Sequence, residues 1–407
     1  MPHPNAELVA GFDPAHLSAA FYADPYPTYH ALRQLAPVHR CPDGSVFLTR
    51  HADLHRVYRD PRLFSSAKER QFGPVFGASP LYEHHTTSLV FNDPPLHTQV
   101  RQAVGDALAP RAIAAMEFGL RELVNGLLDT LASQQHFDCM AEFASVIPVE
   151  VIGNLLRIPR TERAPLRGWS NAILGALEFG LSSAGLTAGN RAVEEFVDYL
   201  KGLIAERRRH LSTEPDDILS RLIQWERNGA RLSEHQLYHQ CIFLLNAGHE
   251  TTTNLIGNSV FALLHFPEQL ARLMANPALM SNAVEEFLRY ESPVQLGNRT
   301  TTDATEINGV VLPAGTTLTL GIGAANRDHA VFENPDRLDI AREASAHLAF
   351  GSGIHTCAGL HVAKLEARIA ISALFARFPR LRLNGEPRRA ARARFRGFDF
   401  FPLSTHR

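Results

Sequence analysis

The chain has 407 residues, 45% of them hydrophobic and 20% charged, a composition that excludes a disordered, collagen-like or coiled-coil polymer. Its 40 basic and 42 acidic side chains leave a formal net charge of -2, so no overall electrostatic case exists for nucleic acid or an anionic membrane. The start, MPHPNAELVAGFDPAHLSAA, lacks the basic and apolar regions of a leader, and no apolar run approaches the roughly 20 residues of a membrane span, so a cytoplasmic protein is expected. In chain order, PVHRCPDGSVFLTR predicts a small hairpin around Pro42-Asp43-Gly44, and helical periodicity starts near Ala52. From about Leu96 to Tyr290 apolar residues recur at three and four positions, as in RAIAAMEFGLRELVNGLLDTLA, which predicts packed amphipathic helices. Turns at Asn308-Gly309 and Pro313-Ala314-Gly315 predict a second β region. After it, HVAKLEARIAISALFARF reads as an amphipathic helix ending before Pro379, and the tail returns to strands. The layout is α+β and mainly α, with no βαβ alternation. With no repeat or linker, one domain is expected over 1–407: a β-rich N-terminal part about 1–60, a helical core about 61–290, and a β region, glycine-rich loop and C-terminal part about 291–407.

Chemistry concentrates in a few segments. Cys41, Cys139, Cys241 and Cys357 lie about a hundred residues apart, neither a disulfide framework nor a CxxC metal set. Around Cys357 the chain reads FGSGIHTCAG, just ahead of the last predicted helix. Glycines there let the backbone take positive φ and approach a flat ligand. A cysteine at a helix N-terminus meets unpaired amides and the positive dipole end, which favour thiolate over thiol. A thiolate beside such a platform suits a haem iron, whereas zinc would need three more ligands; a small buried hydrophobe is the alternative for this cysteine taken alone.

The segment QCIFLLNAGHETTTNLIGNSVFALL carries a polar island, Gly248 to Thr253, inside an apolar helix. Threonines and a glycine weaken the helix, and a hydroxyl bonded to a carbonyl one turn earlier opens a groove on it. Ala247 and Thr251 share a face, and on the residues alone the island is either a site or a satisfied structural network. In VEEFLRYESP, Glu286 and Arg289 have ion-pair spacing. Two H-x3-H spacings, HADLH at 51–55 and HQLYH at 235–239, suit two metal ligands on one helix face, but no third ligand is evident and solvated or capped histidines are expected. Arginines 388, 389, 392, 394 and 396 read as a solvated strand edge.

In chain order, the AGHET stretch, the EEFLR stretch and FGSGIHTCAG resemble the oxygen-helix, ExxR and haem-binding elements of the cytochrome P450 family, over nearly the whole chain. The resemblance implies that family's fold, with small sheets near the N-terminus and in the C-terminal third. It implies a haem b whose metal ligand is Cys357, in a loop with Phe350, Gly351, Gly353 and Gly359, with Ala247 on the opposite face. His97 and Arg101 of DPPLHTQVR, Arg299 and His355 would receive the haem propionates. Thr251 would hydrogen-bond bound dioxygen or its water, and Glu250 would belong to a proton path. Glu286 and Arg289, with Arg337 as third member, would support the haem loop. His85, Phe243, Asn246, Gln295, Leu296 and Phe395 would border the substrate, with the neighbouring His84 and the loop aromatics Phe72, Phe76 and Tyr82 nearby.

The implied activity is a monooxygenase that uses O2 to hydroxylate, or O- or N-dealkylate, a small to medium, mostly apolar organic molecule. No flavin, nicotinamide or iron–sulfur pattern occurs, so electrons would come from a ferredoxin or flavodoxin with its NAD(P)H-dependent reductase, docking where Lys364 and Arg368 contribute charge. Two other readings are a peroxide-driven peroxygenase, against which Glu250 and Thr251 argue, and a non-catalytic haem sensor or ligand carrier.

Overall fold

A computed structural model describes residues 4–210, 217–227, 232–343 and 346–405. Among them helices dominate, and the strands fall into four small sheets. The expected hairpin forms: Val38–Arg40 pairs antiparallel with Val46–Leu48, with Gly44 turning at φ +82°. It is one edge of a five-stranded sheet in the spatial order Val38–Arg40, Val46–Leu48, Thr317–Gly321, Leu296–Thr301, Phe64–Ser65. Residues before the hairpin depart from the β-rich expectation, because Pro4–Ala10, Ala19–Ala23 and Tyr26–Leu35 are helices. Tyr26, Tyr29 and Leu32 fall at helical spacing and pack with Phe47 and Leu296 of the sheet. Further on, Pro402–Ser404 returns as a strand between His136–Asp138 and Arg382–Leu383.

The axis of the helical part is the central helix, Glu234–His265, whose 32 residues span about 48 Å. Its start is fixed by a capping box: the Ser233 amide donates to Gln236 Oε1 at 2.8 Å, and the Gln236 amide donates back to Ser233 Oγ at 3.1 Å. Its polar island does not break it. Thr251 Oγ1 donates to the Ala247 carbonyl at 2.7 Å and Thr253 Oγ1 to the His249 carbonyl at 2.9 Å, so these hydroxyls are satisfied within the helix. Gly248 is where Ile152 of the neighbouring helix Val146–Leu155 presses in, occupying the place of a side chain. Met280–Tyr290 and Leu360–Arg377 pack on the central helix and share the largest core cluster with it. Among the described residues no helix is long and apolar enough to cross a membrane.

Candidate active site

Cys357 lies between the turn Gly353–His355 and the helix Leu360–Arg377. Its amide donates to the Phe350 carbonyl at 2.9 Å, closing the loop on itself. Gly351 and Gly353 make that loop feasible at φ +67° and +71°, and a Cβ on Gly353 would strike the Tyr58 carbonyl. Phe350, Gly351, His355, Cys357 and Gly359 border one side of a cavity of about 380 Å³, and Ala247 and Thr251 border it from the central helix. Burial pushes the Cys357 thiol up, and the Gly359 amide, Arg101 and Lys364 only partly oppose it. The amide at the helix end does favour the thiolate, as expected, but burial outweighs it; a metal cation bonded to the sulfur would supply the missing stabilisation.

One edge of the cavity gathers donors. His97 and Arg101 come from the helix Leu96–Ala107, Arg299 from the strand Leu296–Thr301 and His355 from the loop, and all border the same space. The His97 and His355 rings lie 4.1 Å apart. Both His97 ring nitrogens, His355 Nε2 and the Nζ of Lys68 are buried without a partner. Burial first, then Arg299, His97, Arg101 and Lys68, lowers His355 to about 2. Burial, then Arg299 and Arg394, lowers Lys68 to about 7. Cations and imidazoles crowded together with few acids among them are what a group carrying two carboxylates would satisfy, so these residues fit a haem and its propionates. All four expected residues meet here. Lys68 does not border the cavity but bears on His355 and Arg299, and a single lysine in SSAKER carries no sequence signal for this.

Thr251 borders the cavity but Glu250 does not. The Glu250 carboxylate is bonded to Arg392, and its Oε2 is buried without a partner. Burial raises the Glu250 pKa, while Arg392 pulls it down. His249 faces neither solvent nor cavity; both ring nitrogens are unpartnered, and burial, then Arg167, lowers it to about 4. The arginine cluster is corrected by its acids. Arg389 and Arg396 pair with Glu291, Arg392 pairs with Glu250, and Arg394 Nε donates to the Leu177 carbonyl at 2.7 Å, so of the five only Arg388 is exposed.

The ExxR pair is fully buried. Arg289 Nε donates to Glu286 Oε2 at 2.7 Å and Nη2 to Oε1 at 2.8 Å, while Nη1 donates to the carbonyls of Asn326 and Pro335. The third member is Arg342, whose Nε lies 3.2 Å from Glu286. Arg337, expected in that place, offers only its carbonyl to Arg289 and leaves its side chain exposed. The two arginines are five positions apart, and the chain's path past Asp339 brings the second one back to the acid.

Of the expected substrate residues, His85, Phe243, Asn246, Leu296 and Phe395 border the cavity, as do His84 and Phe72. Gln295 does not: its amide donates to the Ser292 carbonyl at 2.8 Å, because it points to the opposite face from Leu296 beside it. Phe76 lies behind, with its ring 5.3 Å from His85, and Tyr82 also stands outside the lining. Glu366 was missed. It is buried beside Val362 and Ala363 on the cavity face of Leu360–Arg377, with Oε2 unpartnered and its pKa raised by burial. The signal was an acid on the apolar stripe of HVAKLEARIAI. Lys364 and Arg368 are already paired, with Glu285 at 2.5 Å and Glu117 at 3.5 Å.

Comparison with known proteins gives a consistent picture. The family model described as Cytochrome P450 matches residues 181–389. A vitamin D(3) 25-hydroxylase of Pseudonocardia autotrophica is 41% identical over 372 residues, covering 90% of this chain and 89% of that protein. The cytochrome P450 monooxygenase PikC of Streptomyces venezuelae is 38% identical over 379 residues, covering 91% and 88%. The solved structure of the bacillaene polyketide synthase cytochrome P450 PksS of Bacillus subtilis superposes with a TM-score of 0.86 at 32% identity, covering 97% of this chain and 100% of that one.

Proposed function

The chain belongs to the cytochrome P450 family, and from that premise we propose that Cys357 bonds the haem iron and that Thr251 and Glu250 manage protons during oxygenation of an apolar substrate carrying a polar group. As a member, the protein is a haem-thiolate oxidoreductase, and it needs a redox partner and a substrate. One observation carries the residue-level reading: Cys357, Ala247 and Thr251 of the central helix and the unpartnered imidazoles of His97 and His355 border one cavity. His97, Arg101, Arg299 and His355 would hold the propionates, Lys68 would add positive charge near His355, and Ala247 and Gly359 leave room for the ring. When bound, the haem supplies the reductive activation of dioxygen.

The protein's own part is proton and substrate handling. Thr251 presents its hydroxyl to the cavity while donating to the Ala247 carbonyl, so its oxygen lone pairs remain free to accept a proton-bearing group. Glu250 is one residue away but is held by Arg392; it reaches the cavity only by leaving that partner, which makes the ion pair a gate on proton delivery. Over the cavity, Phe72, Phe243 and Phe395 make an apolar wall. His84 Nδ1, His85 Nε2 and Asn246 Oδ1 are buried there without partners. Burial holds both imidazoles neutral, His85 at about 3 and His84 well below the ordinary value. Neutral donors and acceptors suit a hydroxyl or carbonyl rather than an ionised acid. A relative named for hydroxylating vitamin D(3) is in keeping with a mostly apolar substrate. A ferredoxin or flavodoxin would supply the electrons.

The test is the carbon monoxide spectrum of reduced, purified protein. A thiolate-type Soret band is expected in the wild type, and its loss in Cys357→Ser with haem still bound. An unchanged band in Cys357→Ser, or an imidazole-type band in the wild type, would overturn the assignment.

A further inference from the structure

Both H-x3-H spacings lacked an evident third ligand in the sequence, and the structure treats them differently. In the first, His51 Nε2 donates to the Ala346 carbonyl at 2.8 Å and its ring stacks on His55, which is a structural use. In the second, a carboxylate arrives from another element. His235 and His239 stand one turn apart at the start of the central helix, and Glu83 comes from the helix Pro80–Thr87 packed against it. Glu83 Oε1 lies 2.6 Å from His235 Nε2, which lies 2.9 Å from His239 Nε2, and the three atoms fall within 4.8 Å of one another.

Hydrogen bonding alone serves this cluster poorly. His235 Nε2 carries at most one hydrogen, which would have to be shared between the carboxylate and the second imidazole. With that hydrogen absent, a lone pair faces the carboxylate. Two imidazole nitrogens and a carboxylate oxygen within 4.8 Å of one another are instead a familiar donor set for a borderline-soft divalent ion. Tetrahedral ligands held at 2.0–2.1 Å from zinc stand roughly 3.3 Å apart, so the two short spacings need open by less than about 1 Å and the third, within 4.8 Å, need close by no more than about 1.5 Å. Glu83 and His235 are exposed and leave an entry path, while His239 is buried and fixed.

We propose that Glu83, His235 and His239 bind a divalent transition ion of the zinc class, with water as fourth ligand, stapling the helix Pro80–Thr87 to the central helix. None of the three residues borders the cavity, so the site is separate from the haem and the substrate. It is nevertheless mechanically close to them. His84 follows Glu83 directly, its ring packs 5.6 Å from that of His239, and it accepts from the Asn246 amide at 3.3 Å in the cavity wall. An ion at the staple would therefore stiffen the wall that carries His84 and His85.

Chelator-treated, tag-free holoprotein titrated with zinc chloride in a calorimeter, with melting temperature and Soret band followed in parallel, tests this. One equivalent should bind, raise the melting temperature and leave the Soret band unchanged. Glu83→Gln and His235→Ala, both at exposed positions, should each weaken binding by tenfold or more and abolish the thermal shift. His55→Ala, which alters the other H-x3-H spacing, should bind as the wild type does. Absence of saturable binding, or binding undiminished in Glu83→Gln and His235→Ala, would overturn the site.

Discussion

Two buried polar regions of this molecule are built on opposite terms. At the end of Met280–Tyr290, Glu286, Arg289, Arg342 and the amide of Asp339 satisfy one another and the surrounding carbonyls. Around the cavity and on the turn of helix behind it, His84, His85, Asn246, His249 and Glu366 each keep a buried atom without a partner. The first region is complete within the chain and stabilises it. The second holds polar groups at an energetic cost, which is where a cofactor, a substrate or a proton would be received.

The largest way to break the first region is to remove one charge from it. Glu286→Gln leaves two guanidiniums against a neutral amide, and breaking a buried pair costs on the order of 3–5 kcal/mol. The denaturant midpoint should fall accordingly, and haem should be lost on gel filtration, since the knot holds the carbonyls of Asn326, Pro335 and Arg337. A smaller contrast separates the two candidate third members. Arg342→Ala should cost about 1–3 kcal/mol by removing one of the two guanidiniums that Glu286 holds, whereas Arg337→Ala should stay within about 0.5 kcal/mol. Equal losses from the two arginines would mean that the network extends beyond its hydrogen bonds.

These regions also differ in how far the sequence discloses them. The placement of Cys357 and Thr251 on one cavity and the Glu286–Arg289 pairing were legible because each depends on local spacing: a loop before a helix, a polar island on one helix face, an i, i+3 pair. The mainly α layout was legible for the same reason, through periodicity. What failed depends on contacts across hundreds of residues. Arg392 meets Glu250 across 142 positions, and the arginines of that segment read as solvent-facing only because their acids were invisible. The helices before the first hairpin were hidden by adjoining turns, and Gln295 was assigned to the pocket although it alternates with Leu296 onto the other face. Glu83 is the same kind of case: it stands 152 positions before His235, and no local pattern joins them.

The second region can be probed by acid. His249 sits at about 4, against an ordinary value of 6.5, because burial disfavours the imidazolium and Arg167 repels it. Above pH 6.5 it is neutral in both folded and unfolded chains and contributes no pH dependence. Between 6.5 and about 4 the unfolded chain takes up a proton that the folded one refuses, so stability falls as pH falls, by up to about 1.4 kcal/mol per unit. Below about 4 this loss levels off. Denaturant midpoints at pH 7 and pH 5 should show the wild type losing roughly 2 kcal/mol more than His249→Met, which lacks the titrating ring. The other buried histidines are common to both proteins and cancel in that difference. Equal losses would show that His249 finds a partner in solution, and the turn behind Thr251 would then belong with the satisfied region.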